Sequence, residues 1–205
     1  REMRGLPQAQ GLYSPENEHD ACGIGFVVNI KGQRSHNIVQ QGLTILANLA
    51  HRGGAGSEEN TGDGAGILLQ IPDRFFRMVC PLIDITLPRE GEYGVGMLFL
   101  PRQSDAREEC MKKIEEVIRE EGQTVLGWRD LPVNETMLGS VAKANRPFFS
   151  QVFIGMSDKV TAGMDFERKL FVIRKRCEKL TQNLAETDNR YFYFASLSSR
   201  TFVYK

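Results

Sequence analysis

Strand-length runs of β-branched and aromatic residues, interrupted by amphipathic helices, are the feature that most constrains how this chain can fold. The runs are GIGFVVNI (residues 23–30), ILLQI (67–71), YGVGMLFL (93–100), TVLGW (124–128), PFFSQVFIGM (147–156) and YFYFASLSSRTFVY (191–204). Runs of this length and composition, bounded by turn residues, predict β-strands. We therefore expect a large sheet with antiparallel pairing.

Three other segments carry apolar residues at spacings of three and four, which predicts helices with one apolar face. The first is capped by Ser35 and ends near His51. The second carries Cys110, Met111, Ile114, Val117 and Ile118 and ends at Gly122, and the third carries Phe166, Leu170, Ile173, Cys177 and Leu180. Strands with helices packed on them indicate an α+β fold.

The composition excludes several classes of protein. With 205 residues, 41% hydrophobic and 25% charged, the chain is expected to form one soluble domain. Lysine plus arginine equal aspartate plus glutamate at 26 each, so no net field favours nucleic acid or a membrane surface as a partner. The absence of a long apolar run or a signal-peptide core predicts a cytoplasmic protein.

Cys22 stands at a sharp boundary in the sequence. Residues 1–21 are polar and aperiodic, which predicts a leader or propeptide, and the apolar run follows at once. A free cysteine is more often a buried structural residue than a nucleophile. Cleavage after Ala21, however, would give Cys22 a free α-amine with a pKa of about 8, close to the thiol's ~8.5, and that amine could act as its base. A pairing of Cys22 with one of the three histidines stays an alternative.

The other cysteines, Cys80, Cys110 and Cys177, are widely scattered, so the sequence predicts neither a disulfide framework nor a metal site. Arg52 begins the glycine-rich segment RGGAGSEENTGDGAG at residues 52–66. Its guanidinium could bind a substrate carboxylate, but the residues alone favour a cation at a helix C-terminus. The TGDGAG stretch lacks the lysine of a phosphate-binding loop, and a strand rather than a helix follows it.

Three strings together resemble a known family: HDACGIGF, HRGGAGSEENTGDGAGILLQIPDRFF and SLSSRTFVYK. They are similar to the N-terminal glutaminase domain of glutamate synthase large subunits, a class II glutamine amidotransferase of the N-terminal nucleophile hydrolase type. The resemblance implies a four-layer αββα sandwich of antiparallel sheets, incomplete in this chain. It also implies a propeptide at residues 1–21 and the front part of the glutaminase domain at residues 22–205.

The same resemblance assigns roles to two residues. Cys22 would attack the side-chain amide of L-glutamine and form a thioester, and Arg52 would bind the substrate's α-carboxylate, which reverses the preference stated above. The family's oxyanion hole comes from an N-G-E motif that this sequence does not contain. We therefore expect the isolated chain to be poorly active, because losing one oxyanion donor costs about 100- to 1000-fold.

The resemblance implies no cofactor in this chain. In the complete enzyme it implies a synthase domain of the same polypeptide that aminates 2-oxoglutarate using FMN and an iron–sulfur cluster, with an electron-donating subunit or ferredoxin as a partner. Two alternatives stay open. One is a non-catalytic structural or regulatory module with the same fold, and the other is the amidotransferase domain of another biosynthetic enzyme.

Overall fold

A computed structural model describes residues 8–12, 14, 23–54, 58, 61–62, 64–182 and 192–204. Cys22 and most of the predicted leader lie outside the described residues. The chain divides into two compact units. The first takes in residues 1–67 and 136–144, and the second residues 68–135 and 145–205.

A four-stranded antiparallel sheet is the centre of the second unit. Its strands stand in the order β3-β4-β2-β5. Their bounds are Tyr93–Leu100 for β2, Thr124–Asp130 for β3, Phe148–Gly155 for β4 and Tyr193–Ser198 for β5. Strands β2 and β4 pair over their full length, from Tyr93 opposite Gly155 to Leu100 opposite Phe148. The prediction of antiparallel pairing is confirmed.

Two helices cover one face of this sheet, α3 (Ser104–Glu120) and α5 (Met164–Gln182). Eight of the ten apolar residues that the periodicity identified are buried, namely Cys110, Ile114, Val117, Ile118, Phe166, Leu170, Ile173 and Cys177. Met111 is partly buried, and the prediction is wrong for Leu180, which is 44% exposed near the end of α5. Helix α3 ends as predicted, because Gly122 adopts a left-handed conformation with φ 74° that favours glycine. These contacts form the larger of two apolar cores.

The opposite face carries a second, smaller core. Strand β1 (Ile67–Gln70) pairs with β6 (Thr201–Tyr204), and the short helix α2 (Asp73–Val79) follows β1. Phe76, Phe153 and Phe202 meet in this core, with ring centroids 5.2 and 5.9 Å from Phe76. A helical layer, a sheet and a second sheet therefore follow one another, in agreement with the predicted α+β fold of stacked antiparallel sheets.

The first unit contains helix α1 (His36–Asn48), a 3₁₀ turn at Ala50–Arg52 and helix α4 (Ser140–Asn145). The predicted cap is present, because Ser35 Oγ accepts the N–H of Ile38 at 3.4 Å. None of the residues of α1 is buried. No helix among the described residues is both long enough and apolar enough to cross a bilayer.

The prediction of a first strand at residues 23–30 is wrong. The segment has no strand structure, and Ile24, Phe26 and Ile30 are 96%, 88% and 98% exposed. A strand requires the backbone groups of a neighbouring strand, and no described residue pairs with this segment. A turn follows this segment, where Gly32 donates its N–H to the Asn29 carbonyl at 2.9 Å.

Candidate active site

The segment that follows Cys22 packs closely against helix α1. A Cβ atom added to Gly23 would lie 2.9 Å from Leu49 Cδ2, and one added to Gly25 would lie 2.4 Å from Ile45 Cγ2. Leu49 and Ile45 are one helical turn apart, so the chain follows the helix at this point. Glycine at both positions permits this approach, because any larger residue would displace the side chains of the helix.

Arg52 stands at the end of the same helix and contacts the same glycine. Its backbone N–H donates to the Leu49 carbonyl at 2.8 Å, which forms the 3₁₀ turn. Its Cβ and Cγ each lie 3.3 Å from the Cβ position of Gly23. The half-buried Arg52 side chain therefore begins beside the residue that is peptide-bonded to Cys22.

Both described histidines contact residues of their own helical segment. His51 Nδ1 lies 2.9 Å from the Asn48 carbonyl oxygen, an acceptor, so this hydrogen bond needs the proton on Nδ1. His36 Nε2 lies 2.9 Å from Gln40 Nε2. His19 lies outside the described residues. These contacts identify no histidine as a base for Cys22.

Glu58 links Thr61 of the glycine-rich segment to the first two residues of helix α4, Ser140 and Val141. Its Oε1 accepts the Ser140 hydroxyl at 2.7 Å, and its Oε2 accepts the Thr61 hydroxyl at 2.8 Å and the Val141 N–H at 3.2 Å. The hydrogen bonds from Ser140 and Thr61 hold the pKa of Glu58 below its usual 4.5. The carboxylate is therefore ionised at neutral pH and accepts hydrogen bonds from Thr61, Ser140 and Val141.

Gly139 makes this arrangement possible. A Cβ atom at Gly139 would lie 2.1 Å from Glu58 Oε2 and 2.5 Å from Thr61 Oγ1. A side chain at Gly139 would therefore require the Glu58 carboxylate and the Thr61 hydroxyl to move. Neither Glu58 nor Gly139 was predicted from the sequence, because the contact of Glu58 with Ser140, 82 positions away, leaves no local periodicity or motif.

Cys80, Cys110 and Cys177 lie inside the apolar cores, and none of them forms a disulfide with another described residue. Burial raises the pKa of each thiol, and that of Cys177 to about 12. Few of these thiols are ionised at neutral pH, so none of them suits nucleophilic attack. No three histidine, cysteine, aspartate or glutamate side chains of the described part of the chain are grouped to hold a metal ion.

A family model described as "Glutamine amidotransferases class-II" matches residues 22–205 of the chain, beginning at Cys22. The chain belongs to the class-II glutamine amidotransferases. Within this family of enzymes, its similarity is to glutamate synthases.

The relatives named as glutamate synthases match along almost the whole chain. "Glutamate synthase [NADPH] large chain" of Bacillus subtilis is 54% identical over 98% of this chain and 13% of its own length. "Ferredoxin-dependent glutamate synthase 2" of Synechocystis is 40% identical over 92% of this chain and 12% of its own. "Glutamate synthase [NADPH] large chain" of Azospirillum brasilense is 39% identical over 94% and 12%. The chain thus spans about an eighth of the length of these relatives.

Proposed function

We propose that this amidotransferase domain hydrolyses L-glutamine to glutamate and ammonia, with Cys22 as the nucleophile once residues 1–21 are removed. The observation that carries the proposal is that the family match begins at Cys22 itself. The packing of Gly23 against Arg52 adds support, because it fixes the backbone next to the proposed nucleophile. An N-terminal cysteine also needs no histidine, in keeping with the local contacts of His36 and His51.

The chemistry is acyl transfer in two steps. The α-amine of Cys22 takes the thiol proton, and the thiolate attacks the side-chain amide carbon of glutamine. The carbon–nitrogen bond breaks, the amine returns the proton to the leaving group, and ammonia departs from a γ-glutamyl thioester. Water activated by the same amine then attacks the thioester, which releases glutamate and restores the thiol.

We propose that Arg52 binds the α-carboxylate of glutamine, since a guanidinium can form two parallel hydrogen bonds with a carboxylate. The contact between its aliphatic stem and Gly23 favours a second role, which is to hold the chain beside Cys22. Arg52→Lys keeps the charge and much of the stem but loses the paired hydrogen bonds, whereas Arg52→Met keeps the stem alone. Carboxylate binding predicts that both variants raise KM for glutamine about 10-fold or more with little change in kcat. An unchanged KM for glutamine in Arg52→Met would contradict carboxylate binding and would leave Arg52 only the role of packing against Gly23.

For the complete protein we propose amination of 2-oxoglutarate with the ammonia released from glutamine, as in a glutamate synthase. The names and identity of the relatives support this proposal. FMN and an iron–sulfur cluster would then act in a synthase domain of the same polypeptide, where they would supply electron-transfer chemistry. We assign neither cofactor to a residue of this chain. The named relatives differ in electron donor, NADPH for one and ferredoxin for another, so either kind of donor fits.

The decisive test is made on the complete protein purified from cells that express its whole gene. We expect intact-mass analysis to find Cys22 as the first residue and a glutamine-like electrophile to alkylate that residue alone. We expect Cys22→Ala to abolish glutamine hydrolysis, while synthase activity with added ammonium is retained. The buried Cys80, Cys110 and Cys177 provide internal controls that should stay unmodified in the native protein. A retained leader together with unchanged hydrolysis in Cys22→Ala would contradict the proposal.

A further inference from the structure

The carboxylate of Glu58 has features of a fixed anchor rather than a solvated surface charge. Among the described residues, its hydrogen-bond partners are all donors, namely the hydroxyl of Thr61, the hydroxyl and backbone N–H of Ser140, and the N–H of Val141. Both oxygens are used. A carboxylate surrounded in this way holds one position, because each donor fixes a direction as well as a distance.

The anchor joins two stretches of the first unit that are far apart in sequence. Glu58 and Thr61 belong to the glycine-rich segment, and their own backbones are linked by the Thr61 N–H to the Glu58 carbonyl at 3.1 Å. Ser140 and Val141 begin helix α4. The close approach at Gly139, where a Cβ would lie 2.1 Å from Glu58 Oε2, leaves the carboxylate little room to move.

The segment that Glu58 anchors is continuous with the proposed site. Arg52 lies six positions before Glu58 and contacts Gly23, the neighbour of Cys22. Two described points of this part of the chain are therefore fixed by contacts, Arg52 in the 3₁₀ turn at Ala50–Arg52 and Glu58 through its hydrogen bonds with Thr61, Ser140 and Val141.

We propose that Glu58 is a positioning residue for glutamine binding, which acts by holding Thr61 against Ser140 and Val141 at the start of helix α4, in the same unit as Arg52. The inference rests on the proposed function, since it presumes that glutamine is bound beside Cys22. It places no contact between Glu58 and the substrate. Gly139 is part of the same arrangement, because a side chain at that position would displace the Glu58 carboxylate.

The test compares Glu58→Ala, Glu58→Gln and Gly139→Ala in the complete protein, with Glu116→Ala as the matched control. Glu116 is an exposed glutamate of α3 in the second unit. We expect Glu58→Ala and Gly139→Ala to raise KM for glutamine about 10- to 100-fold, because small displacements of binding groups have effects of this size. Glu58→Gln, which keeps the shape and one acceptor oxygen, should recover part of the loss, and Glu116→Ala should match the parent protein.

A second measurement separates positioning from a general structural defect. Iodoacetamide alkylates a thiol without using an amino-acid binding site, whereas a glutamine-like electrophile needs that site. We expect the iodoacetamide rate constant at Cys22 to stay within about twofold of the parent in Glu58→Ala, while the concentration for half-maximal inactivation by the glutamine-like electrophile rises as KM does. The double variant of Glu58→Ala and Gly139→Ala should be no worse than either single variant, because both break one contact.

Unchanged KM in Glu58→Ala would overturn the inference, as would an equal loss of reactivity toward both electrophiles. These results differ from failure of the proposed function. If the proposed function is wrong, Cys22→Ala still hydrolyses glutamine. If only the role of Glu58 is wrong, Cys22→Ala is inactive and Glu58→Ala has the same KM for glutamine as the parent protein.

Discussion

Helix α5 of the second unit buries Phe166, Leu170 and Ile173 completely, whereas helix α1 of the first unit buries none of its residues. Both helices carry apolar residues at helical spacing. The difference lies in what covers them, because α5 lies on a four-stranded sheet and α1 contacts two glycines of the segment after Cys22. An apolar face thus indicates where a helix can pack, and its stability depends on the partner that it finds.

The residues that stabilise the fold and the residues proposed for the reaction also lie in different units. The second unit holds both apolar cores and three unreactive thiols. The first unit holds Arg52, the glycine-rich segment and the residue next to Cys22. Segments with few buried apolar contacts open at low free-energy cost, so conformational adjustment is expected in the first unit before the second.

The largest difference between the two units should come from removing an aromatic ring. Phe166 is 0% exposed and Phe26 is 88% exposed. We expect Phe166→Ala to lower the free energy of unfolding by about 3–5 kcal/mol, and Phe26→Ala by less than about 0.5 kcal/mol. Chemical denaturation measures both values, and equal losses would break the comparison.

A smaller difference should come from adding a methyl group at a close contact. A Cβ at Gly94 would lie 2.7 Å from Leu170 Cδ1, and one at Gly25 would lie 2.4 Å from Ile45 Cγ2. Leu170 is completely buried, whereas Ile45 is only partly buried and can move aside. We expect Gly94→Ala to cost about 1–3 kcal/mol and Gly25→Ala less, in spite of its shorter contact. A larger cost at Gly25 in thermal unfolding would show that the first unit is packed as rigidly as the second.

The smallest effect should come from a polar link between α3 and α5. Glu121 accepts Lys169 Nζ at 2.9 Å and Arg176 Nη1 at 2.7 Å, and these hydrogen bonds lower its pKa from the usual 4.5. A lowered native pKa stabilises the fold above pH 4.5, and the contribution is lost as the pH falls below that value.

We therefore expect Glu121→Gln to cost about 0.2–1 kcal/mol at pH 7 and almost nothing near pH ~3. The exposed Glu116→Gln of helix α3 serves as the control. Denaturation curves at the two pH values make the measurement. A cost that stays constant with pH would assign the effect of Glu121→Gln to packing instead of charge.

Local patterns predicted the second unit well. Strand β2 has the bounds that its composition indicated, and the buried faces of α3 and α5 are those given by periodicity except at Leu180, which is exposed. Both signals depend on neighbours in sequence. The run at residues 191–204 was predicted as one strand but forms two, β5 and β6, because Glu167 accepts the N–H and hydroxyl of Ser199 at 2.7 and 2.6 Å between them.

Predictions failed where distant residues decide the outcome. Residues 23–30 have the composition of a strand without a described partner, and the short helices α2 and α4 have too few turns to show a period. Of the candidate site, Arg52 was identified through a motif, and the structure adds its contact with Gly23. The role of Cys22 stays a prediction, since the residue lies outside the described part of the chain.

The pairing of strand β2 also has a consequence during synthesis of the protein on the ribosome. Residues 93–100 are synthesised well before both strands that flank them, β4 at 148–155 and β5 at 193–198. At a translation rate of roughly 5–20 residues per second, β2 waits on the order of 5–20 s for its second neighbour. Until β4 emerges, the apolar residues of β2 leave the ribosome without a strand to pair with, because β4 lies between β2 and β3 and must be synthesised before either can join the sheet.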